Sequence, residues 1–186
     1  MTRRPASRAA RAALGSATVA GLVLALSACS AAGPPGAAAV VDGEVVPEGD
    51  VRAVQQELPP EITGGAPVPV QDILAFFLVE DTVRDVAAEY TGVISTADVR
   101  PQLEQVVAQS GGELGELSEP TLELFATSAM LNQIQATDVA REELEARIEE
   151  LDVEVNPRYG SVGDGLQVLP PEYPWLRPAG ELPVEG

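Results

Sequence analysis

A chain of 186 residues with 29 acidic side chains against 11 Arg, and with neither Lys nor His, carries a formal charge of −18 at pH 7. That excess repels a phosphate backbone, so no nucleic-acid partner is expected. The missing imidazole removes Ser-His and Cys-His pairs and histidine metal sites, and carboxylates on so acidic a chain read as solvated faces. No catalytic residue, metal or cofactor is therefore expected, and the inventory argues against an enzyme.

The first stretch is an address. Arg3, Arg4, Arg8 and Arg11 precede an uncharged run from Ala12 to Leu26 of about 15 residues, which ends in small side chains. This is the layout of a secretory signal, and the run is short of the ~20 residues that a spanning helix needs. Leu26, Ser27, Ala28 and Cys29 fill every position of a pattern that resembles the bacterial lipobox, and Cys29 is the only cysteine. The resemblance implies cleavage of residues 1–28 and at least two acyl chains on Cys29, enough for durable attachment to the membrane's outer leaflet. A lone exported thiol is otherwise open to pairing with other chains. Cleavage leaves 29 acids against 7 Arg, a net charge of −22 that gains nothing from an anionic lipid surface. Attachment would then depend on Cys29.

Residues 29–38, rich in Ala, Gly and Pro, read as a tether of roughly 30 Å when extended at ~3.3–3.6 Å per residue. Ala39 to Val46 places two Val-rich runs around Asp42-Gly43, the pair that favours a tight hairpin, and Pro47 stops the second strand. A short helix follows to Leu58, with Val51, Val54 and Leu58 on one stripe. Pro59-Pro60 ends it, and the Gly- and Pro-rich run to Pro69 reads as loop.

Gln71 to Tyr90 is the longest expected helix. Ile73, Phe76, Val79, Val83, Val86 and Tyr90 recur at helical spacing, Phe77 and Leu78 widen the apolar face, and Gly92 stops it. Ser95 or Thr96 caps the next helix, which carries Val99, Leu103, Val106 and Val107. Pro101 near its first turn suggests an irregular start, and Gly111-Gly112 ends it. A further helix begins near Ser118 with Pro120 in its first turn and an apolar side of Leu122, Phe125, Ala129, Met130 and Ile134. Asp138 to Leu151 is helical with a narrow stripe of Ala140, Leu144, Ile148 and Leu151. Arg141 is spaced to pair with Glu145, and Glu143 with Arg147. No breaker lies between Thr121 and Leu151, so the pattern allows the last two helices either as separate or as one bent rod. Val153-Glu154-Val155 alternates as a strand and ends at Asn156-Pro157, with the N-terminal hairpin as its obvious partner. Residues 161–186, with Trp175, read as a Gly- and Pro-rich tail. The expected fold is mainly α, with a small β-sheet built from the N-terminal hairpin and the late strand.

Ala39 to Leu58 resembles the opening of the SurA and PrsA family of exported foldases, a valine-rich hairpin running straight into a helix. The block from Gln71 through Thr91-Gly92-Val93-Ile94-Ser95 to Gln109 is similar to that family's second and third helices. Asn156-Pro157-Arg158-Tyr159-Gly160 resembles the close of actinobacterial lipoproteins that carry the same domain. The likeness spans residues 39–160. It implies a SurA N-terminal-like chaperone domain, but the chain has no room for the parvulin isomerase module between Ala136 and Val153.

The resemblance therefore implies a lipoprotein on the extracytoplasmic face that holds unfolded or partly folded exported chains without isomerising them. The alternative is a binding or assembly subunit of one cell-envelope complex. Phe77, Phe125, Met130 and Trp175 are the candidate client contacts, each with a plainer reading as core or tail packing.

Overall fold

In the computed structural model, which describes residues 34–173, Asp42 and Gly43 take φ of 49° and 86°. Positive φ at both central positions is what a two-residue hairpin turn needs, and it folds β1 (Ala37–Val41) back on β2 (Glu44–Pro47). The late strand β3 (Val153–Val155) pairs antiparallel with the other side of β1, giving the order β2-β1-β3. Two reciprocal bonds lock the turn to the approach of β3. Asp42 N–H donates to the Asp152 carbonyl at 2.8 Å, and Asp152 N–H donates to Asp42 Oδ1 at 2.9 Å. At the other end Asn156 donates from its main chain to Ala38 O and from Nδ2 to Ala37 O, both at 2.9 Å. Asn156 thereby satisfies the bulged start of β1, where the register slips between Ala37 and Ala39.

Ala37 and Ala38 are buried strand residues, so the ordered domain begins inside the stretch expected to be tether. It also continues past residue 160. β4 (Ser161–Val162) and β5 (Val168–Leu169) form a second small hairpin around a single 3-10 turn at Asp164–Leu166, and Val168 enters the core. Neither strand is long enough to show a period, so the segment looked like tail.

Among the described residues the five expected helices appear in order, with one unexpected helical turn between the first two: α1 (Glu48–Glu57), α2 (Pro60–Thr63), α3 (Val70–Tyr90), α4 (Thr96–Gln109), α5 (Glu119–Gln135) and α6 (Asp138–Glu150). The one-turn α2 occupies part of the expected loop, because Pro60 suits a first helical position and Gly64 closes the turn at φ 67°. α4 starts cleanly. Ser95 and Asp98 form a reciprocal capping box, and Pro101 is an exposed residue that leaves only the Ala97 carbonyl without its helical donor. α5 and α6 are separate rods divided at Ala136 and Thr137.

α3 and α5 form the spine. One apolar cluster lies under the sheet and joins Ala39, Val54, Ile73, Leu74, Leu78 and Leu124. A second joins Val83, Val86 and Ala87 of α3 to Met130 and Ile134 of α5 and to Ala140 and Leu144 of α6. A third sets Val99 and Leu103 of α4 on Leu122 and Ala126 of α5. α5 feeds all three, which is why its buried set also includes Leu124, Ala126 and Thr127, outside the expected single face. Tyr90, placed on the α3 stripe, is exposed beyond the last of these clusters. α6 docks through Arg147, which bonds Glu143 at 2.7 Å within the helix and Glu89 of α3 at 2.9 Å. Arg141 pairs with Asp138 at 3.0 Å, one turn back, and not with Glu145. No helix among the described residues is long and apolar enough to cross a membrane.

Candidate functional site

β1 packs directly on α3, whereas β2 leans on α1 and stands off from α3. The gap is an open cleft of about 420 Å³. Its hairpin wall is β2 with Val41 and Asp42, its floor is the middle of α3, and Asp50, Glu123 and Leu151 close the sides. Strand alternation orders part of the wall, and Val45 and Pro47 line it as well. Glu44 lies opposite Val41 and Val46 opposite Ala39, so Glu44 and Val46 share the sheet face turned toward the helices. Phe77 and Leu78 of α3 supply the apolar floor, with Leu78 sunk into the core and Phe77 half-buried at the surface of the cluster beneath the sheet. Val45, on the edge strand, is 48% exposed.

The rest of the lining is acidic. Asp42 and Glu44 come from the hairpin, Asp50 from α1, Glu80, Asp81 and Asp85 from α3, and Glu123 from α5; no basic residue lines the cleft. Arg84 reaches it from behind, bonding Glu80 through Nη2 and Asp81 through Nη1 at 3.0 Å. Burial pushes the Glu80 carboxyl above the ordinary glutamate range, the nearby Glu123 charge adds to the rise, and Arg84 only partly offsets it. Glu123 is raised as well, first by burial, with Arg84 opposing and the charges of Glu119, Asp50 and Asp81 adding. The two groups are thus carboxylates held in a site short of positive charge. No group of three or more acidic, His or Cys side chains among the described residues is placed to hold a metal ion.

The residues expected to touch a client fare differently. Phe77 lines the cleft. Phe125 is half-buried between the cluster under the sheet and that of α4, away from the cleft. Met130 is 1% exposed in the cluster that joins α3, α5 and α6, so it is core and cannot meet a client in the folded state. Trp175 and the lipobox residues Leu26, Ser27, Ala28 and Cys29 lie outside the described residues. Sequence reasoning missed the carboxylates of the cleft and Val45. The acids come from four separate elements, and only the stand-off of β2 brings them to one opening.

No protein-family model matches the chain, and neither a curated protein nor a solved structure proved similar to it.

Proposed function

We propose that this protein is a lipid-anchored holder of unfolded or partly folded exported polypeptides on the extracytoplasmic face of the membrane, acting by binding alone. The observation that carries this reading is the open cleft between β2 and α3, with Phe77 on its floor and carboxylates around its rim. An apolar floor gives a non-polar side chain a place out of water, and the charged rim keeps the exposed surface soluble. The signal layout and the lipobox pattern ending at Cys29 support the location. With β1 starting at Ala37, only seven residues, Ser30 to Gly36, separate that cysteine from the folded domain. At ~3.3–3.6 Å each they reach at most about 25 Å, which would keep the cleft near emerging chains. The likeness of the hairpin-helix opening to the SurA and PrsA chaperones points the same way.

Aggregation suppression tests the reading. The full chain, at near-stoichiometric ratio, should delay aggregation of several unrelated unfolded clients, and Phe77→Ser should weaken the delay while the fold persists. No delay for any client would end the holding role. Co-purification of a single stoichiometric partner from membranes would replace it with a subunit of one envelope complex.

A further inference from the structure

Building on the holding role above, we propose that the cleft selects cationic-amphipathic polypeptide: a Lys or Arg side chain of the client reaches Glu80 and Glu123 while its apolar neighbours lie over Phe77. Four features of the cleft converge on this occupant. The lining carries acids from the hairpin, α1, α3 and α5 and no base. Arg84 is engaged by Glu80 and Asp81, and Glu123 has no ion pair among the described residues. The Glu80 side chain is only 15% exposed and holds Arg84 through Oε1, so a client cation adds a second partner to a poorly hydrated carboxylate that shares its one cation with Asp81. The apolar groups of the opening, from Val41 and β2 with Phe77 and Leu151, suit one or two side chains of an extended segment. Acid and apolar groups share one opening, so alternating basic and apolar residues match it, and an acidic segment is repelled.

The whole chain is acidic, so attraction of basic peptides must be separated from attraction by the cleft. Three labelled peptides of equal length, alternating Leu or Phe with Lys, Gln or Glu, are titrated against the full chain in neutral detergent at low and high salt. The Lys peptide should bind about five- to tenfold more tightly than the Gln peptide at low salt, as one or two partly exposed ion pairs allow, and the Glu peptide more weakly than both. Glu80→Gln with Glu123→Gln should abolish most of that preference. Glu104→Gln with Glu142→Gln removes the same charge from exposed positions on α4 and α6 outside the cleft and should preserve it. If the first pair impairs folding, Glu44→Gln with Asp50→Asn on the rim serves instead.

Equal affinity for the Lys and Gln peptides overturns the selection while leaving the holding role intact. Equal loss of preference in the cleft and control variants overturns the cleft as its location. Failure of every peptide to bind, together with no delay of aggregation, removes the holding role itself.

Discussion

Glu57, the last residue of α1, caps α5 from outside that helix: its Oε2 accepts the Ser118 N–H at 2.8 Å and the Ser118 and Thr121 hydroxyls at 2.7 Å each. Ser118 is the N-cap of α5, yet its hydroxyl makes no cap to its own helix and donates instead to Glu57. A carboxylate at this position also meets the positive end of the α5 dipole. Desolvation works against the charge, but the hydrogen bonds from Ser118 and Thr121 outweigh it and hold the Glu57 carboxyl below its ordinary value.

Replacing Glu57 with Ala should therefore cost about 1.5–3 kcal/mol, the range for hydrogen bonds to a charged group, since buried Thr121 loses its charged acceptor. Gln should recover part of this. The folded state binds this proton less tightly than the unfolded state does, so the contribution is full above the unfolded value near 4.5 and is lost as pH falls through the lower folded value. Urea melts of wild type and Glu57→Gln between pH 7 and 3 should converge at the acid end. A constant gap would contradict the assignment.

Gly160 should tolerate no side chain. Its φ is 137°, and a Cβ there would sit 1.8 Å from the Leu169 carbonyl oxygen, a main-chain atom of β5 that cannot step aside without opening the β4–β5 hairpin. Gly160→Ala should destabilise by more than ~2 kcal/mol, combining the conformational cost with loss of that docking. Hydrogen exchange locates the damage. Amides of Val162 and Val168 should lose protection first, while those of α5 keep theirs.

Phe77 and Met130 look alike in sequence, as large apolar residues on long helices, and the structure separates them. Met130→Ala should cost ~2–5 kcal/mol as a buried cavity and leave client affinity unchanged at temperatures where the protein stays folded. Phe77→Ser should cost less in stability and more in client affinity, because one side of the ring faces the cleft. Thermal melts paired with peptide titrations read both quantities. Reversed effects would mean that the cleft is not where clients bind.

These contrasts mark what a linear sequence reveals here. The β1–β2 hairpin was legible because Asp42-Gly43 is a local requirement of the turn, and α3 because its apolar residues recur at helical spacing from Ile73 to Tyr90. β3 was legible only through Val153 and Val155 and a free partner edge. The β4–β5 hairpin was not: its turn holds the same Asp-Gly pair, Asp164-Gly165, but its two-residue strands carry no period to mark a hairpin around it. Nor was the buried side of α5, because an apolar period marks one face while α5 is packed on several. The cleft is the extreme case. Asp50, Glu80 and Glu123 are far apart in the chain and look like ordinary solvated acids until the helices set them beside one another.

Proton uptake gives the cleft a pH response. The groups around Glu80 and Glu123 are Asp42 and Glu44 on the hairpin, Asp50 on α1, Asp81, Arg84 and Asp85 on α3, and Glu119 on α5. With Arg84 the only cation in that set, acidification takes the cleft from strongly negative toward neutral. Glu80 and Glu123 have raised affinities for a proton, so they take one up above the ordinary glutamate value of 4.5. A raised folded value also means that ionising these groups opposes folding, so this penalty is absent below the unfolded value and grows as pH rises through the folded one. Acidification from pH 7 should therefore release a cationic peptide before it unfolds the protein, since the acids that hold the cation are the ones relieved by protonation. Affinity for the Lys peptide should fall as pH is lowered from 7 toward the ordinary glutamate value of 4.5 in wild type, and fall less in Glu80→Gln with Glu123→Gln. Far-ultraviolet dichroism should show α3 and α5 intact over the same interval. A parallel decline in both proteins would assign the pH effect to the general charge of the chain instead of to these two carboxyls.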